Sequence, residues 1–178
     1  MLTLAVELEA IYAEGKLIVS SLEAASSLEQ RGYGAKEEKT GLILSPSEAL
    51  YLLGDKKLRV IEKESGVAQD FPMLLEKIRV VDPEIWIRYL IYRDLRDRGY
   101  VVRDGFGLGV DFRVYERGEY GEEAAKYIVF GISEGAPIPV GKIVELLRYV
   151  QSLKRELVLA VIDRRGEIVY YSVSQLTF

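Results

Sequence analysis

The sequence predicts two mixed α/β domains in series, residues 1–82 and residues 83–178, each with its own sheet. Three observations lead there. Short runs with period-two apolar alternation interleave with longer runs at helical spacing along the whole chain. At 178 residues, 49% hydrophobic and 29% charged, the chain is too apolar to remain disordered and long enough for two small cores. Asp82-Pro83 then interrupts the pattern near the middle of the chain.

The elements follow in order. Residues 2–9 alternate, with Leu2, Leu4, Val6 and Leu8 against Thr3, Glu7 and Glu9, which predicts a half-buried strand. A second strand is expected at Lys16–Ser20, then a helix between Ser21 and Gln30 stopped by Gly32-Tyr-Gly34. Leu42-Ile-Leu44 reads as a short apolar strand. Ser45-Pro-Ser-Glu48 supplies an N-cap, a first-turn proline and the capping-box glutamate of a helix ending at Gly54. A strand at Leu58–Glu62 and a helix over 70–80 complete the first half.

In the second half, Asp82-Pro-Glu84 opens a helix with Ile85, Tyr89, Tyr92 and Leu95 on one face, ending at Arg98-Gly99. Tyr100–Arg103, Asp111–Tyr115 and Lys126–Phe130 read as strands. Pro139–Ser152 reads as a helix with Ile143, Leu146, Leu147 and Val150 inward. Leu157–Ile162 is continuously apolar and therefore expected inside the sheet. The turn Asp163-Arg-Arg-Gly-Glu167 joins it to Ile168–Val173 as a hairpin. The order α-β-β-β-α-β-β implies a mixed sheet.

Composition removes whole classes of chemistry. The chain has no Cys and no His, so disulfides, thiolate nucleophiles, imidazole acids and the usual transition-metal ligands are all excluded. Asn is absent and Gln occurs only at 30, 69, 151 and 175. Abundant Glu, Lys and Arg beside so few thermolabile amides predict a thermophilic source. No Asp/Glu spacing resembles a calcium loop, so no metal site and no cofactor are expected. No run is long enough to span a bilayer and the first residues carry acids, which predicts a cytoplasmic protein. The net charge of −4 disfavours general nucleic-acid binding. Residues 1–82 carry 10 basic and 14 acidic side chains and residues 83–178 carry 14 of each, leaving room for a local basic face.

Local motifs are ambiguous by themselves. Gly105-x-Gly-x-Gly109 joins two strands, so it reads as a hairpin connection and not as a dinucleotide-binding turn. Glu122-Glu123 reads as a solvated loop. Arg93, Arg96 and Arg98 interleave with Asp94 and Asp97, as on a salt-bridged helix face or an RNA contact. Arg148, Lys154 and Arg155 suit a helix C-terminus through its dipole, and Tyr115 suits a strand end.

Taken together, longer stretches resemble the archaeal tRNA-splicing endonuclease family. They are Tyr89-Leu-Ile-Tyr-Arg-Asp-Leu-Arg-Asp-Arg-Gly-Tyr-Val-Val, Asp111-Phe-Arg-Val-Tyr115, Lys126-Tyr-Ile-Val129 and Ser152-Leu-Lys-Arg-Glu-Leu-Val-Leu-Ala-Val-Ile-Asp163. Upstream, Leu44-Ser-Pro-Ser-Glu-Ala-Leu-Tyr-Leu-Leu53 is similar to a segment of the family's N-terminal domain. The resemblance implies an N-terminal tRNA-endonuclease-like domain over 1–82 and an endonuclease-type α/β domain over 83–178. It also implies cleavage of intron-containing pre-tRNA at exon–intron junctions without metal, leaving a 2′,3′-cyclic phosphate and a 5′-hydroxyl. In the family a Tyr activates the 2′-hydroxyl, a His protonates the leaving oxygen and a Lys stabilises the charged transition state.

On this sequence the resemblance assigns Tyr115 to the tyrosine position. The histidine position, three residues before Tyr127, holds Ala124. The lysine position holds Arg155, with Lys154 one residue early. Arg keeps the charge with a different geometry, whereas Ala124 has no proton to give. Three readings of the broken triad stay open: a non-catalytic subunit of a heterotetramer, a catalytic chain with His changed to Ala at 124, and a self-sufficient ribonuclease using Tyr115 with Lys154 or Arg155. The resemblance further places Arg148 at a residue that grips bulged intron bases in the bulge–helix–bulge substrate, and Lys154 is the second residue expected to contact the RNA. It makes Ile168–Val173, with the Leu176-Thr-Phe178 tail, a pairing edge for a homologous subunit or a second copy. Arg164 and Arg165 stand in a loop where the family carries acids, a departure that suits an asymmetric partner.

Overall fold

The computed structural model describes residues 8–38 and 40–176, and the chain divides into two compact units, Met1–Tyr89 and Leu90–Phe178. The strand expected over 2–9 lies outside the described residues apart from Leu8 and Glu9. Strand β1 instead runs Glu9–Ala13, followed by β2 (Lys16–Val19). Helix α1 (Leu22–Gln30) is N-capped by Ser21, and β3 (Ala35–Glu37) precedes β4 (Gly41–Leu44). Helix α2 (Pro46–Gly54) has the full capping box: Glu48 N donates to Ser45 Oγ at 3.3 Å and Ser45 N donates to Glu48 Oε2 at 2.9 Å. Glu48 Oε2 also accepts from Gly34 N at 3.0 Å, which is why a carboxylate only 3% exposed is tolerated there. Strands β5 (Arg59–Glu62) and β6 (Ala68–Gln69) lead into α3 (Phe71–Val81), capped by Asp70.

The first unit holds a six-stranded sheet in the order β3-β4-β2-β1-β5-β6, with β1 and β5 parallel and the other neighbours antiparallel. Its core gathers the inward residues that the alternation marks, Leu17, Val19, Leu42, Leu44 and Val60, with Leu28, Leu50 and Leu74 from the helices.

Helix α4 (Ile85–Asp97) begins in the first unit and contributes Leu90–Asp97 to the second. It is followed by β7 (Val101–Asp104), β8 (Phe112–Tyr115), β9 (Tyr127–Ser133), α5 (Val140–Ser152), β10 (Glu156–Ile162) and β11 (Ile168–Val173). The sheet order is β11-β10-β9-β8-β7, with β9 and β10 parallel and the rest antiparallel: the mixed sheet that the element order predicts. The apolar strand β10 is interior, between β9 and β11.

The period-two alternation of each strand divides this sheet into two faces. On one, Ile128 and Leu157 pack against Leu146 and Val150 of α5, with Phe130, Leu147 and Leu159 at the margin. On the other, α4 covers the sheet: Tyr92 packs on Phe112 with ring centroids 5.8 Å apart, and Ile91 sits against Gly131. Here Asp94 accepts from the Tyr170 hydroxyl at 2.7 Å and from Arg98 Nε at 2.8 Å. Burial first, and then the bond to Asp94, push the Tyr170 phenol well above its ordinary pKa. No described helix is long and apolar enough to cross a membrane.

Candidate functional site

Three chain segments converge at one end of the second sheet, on the face that α5 covers. Because β9 and β10 are parallel and β8 is antiparallel to β9, the C-terminal end of β8 lies beside the N-terminal ends of the other two. The ladder fixes this directly. Lys126 N donates to Val114 O at 3.0 Å, and Glu156 N donates to Lys126 O at 3.0 Å. Residues just outside these rungs are therefore neighbours: Tyr115 after Val114, Ala124 and Ala125 before Lys126, and Arg155 before Glu156. They line one cavity of about 180 Å³ with Phe106, Arg113, Ile128 and Leu153.

Each side chain has a local reason for its place. On β8, Phe112 and Val114 are buried under α4, so Arg113 and Tyr115 face the opposite side. Tyr115 meets Tyr120 edge-on, with centroids 5.0 Å apart and planes at 88°. Ala124 lies in the connection before β9 and is exposed, while Ala125 is buried. That connection is pinned by Lys126, whose ammonium meets Glu116 Oε2 at 2.8 Å. The hydrogen bond from Lys126 holds the Glu116 carboxyl below its ordinary value, and the Lys126 amine is raised in turn.

Arg155 is placed by the end of α5. Lys154 N donates to Gln151 O at 2.9 Å and Arg155 N donates to Val150 O at 3.1 Å, the paired bonds of a Schellman motif. The left-handed residue is Lys154, φ 56°, where a helix end usually has Gly. Arg155 thus enters the cavity wall directly from a closed helix terminus, and its Nη1 lies 3.3 Å from Lys154 O.

The positions singled out from the sequence therefore separate into two groups. Tyr115, Ala124 and Arg155 share the cavity; Arg148 and Lys154 are exposed and are not among its lining residues. Among the five lining residues that were not site candidates on sequence, Arg113 and Phe106 shape the chemistry of the cavity. Arg113 sits inside the quoted Asp111–Tyr115 stretch, two residues from Tyr115, and strand alternation was signal enough to put both on one face. Phe106 comes from the hairpin Gly105–Gly109, which is the plain connection expected and also a wall of the cavity.

A phenol and two guanidiniums around a small cavity, with no acidic side chain among the described residues that line it, make a site suited to phosphate, as in a nucleic-acid-processing domain. Comparison with known proteins makes this specific. Residues 85–170 match the catalytic C-terminal domain of tRNA intron endonuclease, and residues 9–71 match its N-terminal domain. The chain is 37% identical over 164 residues to the tRNA-splicing endonuclease of Methanococcus vannielii, covering 92% of each protein. It is 32% identical over 170 residues to that of Pyrococcus horikoshii, covering 94% of this chain and 96% of the relative. With the tRNA-splicing endonuclease of Methanosarcina acetivorans it shares 34% identity over 161 residues, 90% of this chain but 45% of that longer protein. The chain belongs to the tRNA intron endonuclease family.

Proposed function

We propose that this chain is a non-catalytic subunit of a tRNA-intron endonuclease, one that binds intron-containing pre-tRNA at the bulge–helix–bulge and supports cleavage by a homologous catalytic subunit. The observation that carries this reading is Ala124, exposed at the cavity wall between Tyr115 and Arg155 in a chain without a single His. In the reaction, the 2′-oxygen attacks the adjacent phosphorus and the P–O5′ bond breaks. The 2′-hydroxyl proton leaves to a base, and another proton must reach the 5′-oxygen. Tyr115 suits the first transfer, and Arg155 can offset charge on the phosphoryl oxygens. Nothing at position 124 supplies the second proton, a loss of roughly 10²–10⁴-fold where general acid catalysis is removed.

Two further features support a partnered role. β11 is an edge strand, and Val169 and Tyr171 on it are 52% and 54% exposed, as a strand paired with another subunit requires. Arg164 and Arg165 are exposed at the tip of the β10–β11 hairpin, where they suit an acidic surface on an unlike partner.

The test is cleavage of a radiolabelled intron-containing pre-tRNA by this chain alone, by the chain mixed with a triad-complete homologue, and by Ala124→His alone. Cleavage by the mixture and not by the unaltered chain alone, with a tetramer by light scattering, supports the subunit reading. Efficient cleavage by the unaltered chain refutes it and favours a self-sufficient nuclease using Tyr115 with Arg155 or Lys154. No cleavage in the mixture but activity of Ala124→His alone refutes it in favour of a catalytic chain deprived of its acid.

A further inference from the structure

The cavity contains a cation that the triad logic does not use. Arg113 is held from two sides. Its Nε donates to Asp104 O at 2.9 Å, and its guanidinium lies over the Phe106 ring, 5.1 Å from the centroid. Phe106 is itself fixed, because the Tyr149 hydroxyl donates to Phe106 O at 3.1 Å and so ties the hairpin to α5. A flexible arginine is thereby preset at a definite place in the wall, and its conformational entropy is spent before any ligand arrives.

Its charge has no carboxylate to neutralise it among the described residues. Among the described residues neither Arg113 nor Arg155 forms an ion pair with a carboxylate, in a unit where Arg98 and Lys126 do. Two guanidiniums with no countercharge in one cavity of about 180 Å³ repel each other, and an anion between them relieves that repulsion. The planar fork of each matches the paired oxygens of a phosphodiester, which a halide lacks.

We infer that Arg113 is a phosphate-binding residue, and that Arg113 and Arg155 together clamp one phosphodiester of the RNA in a cavity that does not cut it. This rests on the proposal that the chain binds pre-tRNA, and gives the cavity a positioning role that survives without a proton donor at 124. Position 113 would then fix the register of the RNA strand, while bases are gripped elsewhere.

The experiment measures binding of the full chain to a fluorescent bulge–helix–bulge RNA with 2′-deoxy residues at both cleavage positions, by anisotropy across a salt series. Arg113→Gln is expected to weaken binding roughly tenfold, as for loss of one charge-assisted contact. It should also lower the slope of log Kd against log salt by about 0.7–0.9, the signature of one lost phosphate contact. Arg113→Lys should restore the slope and only part of the affinity, and it serves if the Gln variant melts early. Arg155→Gln should lower the slope by the same amount. An unchanged slope in Arg113→Gln, or full parent affinity in Arg113→Lys, with normal binding by the parent chain, would overturn this inference and leave the subunit reading intact. No binding by the parent chain would overturn both.

Discussion

The hairpin wall of the cavity can be tested at Gly107. Its φ is +67°, and a Cβ built there would lie 2.8 Å from the Tyr149 hydroxyl and 3.2 Å from its Cζ. Gly107→Ala therefore carries two costs. The left-handed backbone costs an L-residue about 1–2 kcal/mol, offset by about 0.4–1 kcal/mol from the stiffer unfolded chain. Tyr149 cannot retreat freely, because its ring packs at the margin of the cluster around Leu146 and Val150. Moving its hydroxyl loses the bond to Phe106 O, about 0.5–1.5 kcal/mol. The sum is near 2 kcal/mol, or a fall of roughly 4–8 °C in Tm for a chain of this size. Thermal melting by circular dichroism measures it, and a cycle with Tyr149→Phe separates the two parts. In the Tyr149→Phe background the hydroxyl is already gone, so Gly107→Ala should cost only its backbone share, about 1 kcal/mol less than in the parent. Equal costs in both backgrounds would refute the idea that Tyr149 holds the hairpin in place.

Other expectations are more direct. Lys154→Gly should raise stability by about 0.5–1 kcal/mol, read as a higher Tm, because glycine adopts the left-handed cap without a Cβ penalty. The Glu116–Lys126 clip has a definite pH signature. Glu116 is lowered in the folded chain relative to its ordinary 4.5, so its contribution is present above that value and lost as pH falls through the folded value. The difference in Tm between parent and Glu116→Gln should therefore be measurable at pH 7 and close as pH is taken well below 4.5. Ala124→His should raise cleavage by roughly 10²–10⁴-fold over the unaltered chain in a single-turnover assay.

Where local physics decided the structure, the sequence could be read. Ser45 and Glu48 announced α2, and the apolar run 157–162 announced an interior strand. Spacing also separated the two roles of glycine at 105–109 and 99, a hairpin in one case and a helix stop in the other. The strands β3 and β6 could not be read in the same way. β3 is three exposed residues, Ala35–Glu37, and β6 only Ala68–Gln69; each exists because β4 or β5 offers a free ladder edge. The candidate site shows the same division. Motif position marked Tyr115, Ala124 and Arg155, but a charged residue on an amphipathic strand looks like ordinary solvated surface. Alternation puts Arg113 on the face of Tyr115, and the register Arg113↔Ile128, which sets it beside a buried residue of the cavity wall, distinguishes it from that surface.

The connection that carries Ala124 has a consequence for how such a protein can change over evolutionary time. Its place is set by backbone rungs at Lys126 and by the Glu116 clip, while the side chain at 124 itself is exposed. Substitution there is close to neutral for folding, so drift can remove or return a proton donor without bringing the chain nearer its stability threshold. After a gene duplication, one copy could lose its chemistry in a single step and still assemble, fold and hold substrate. Division of labour between like subunits then needs no new architecture, only an unconstrained position at the edge of the site.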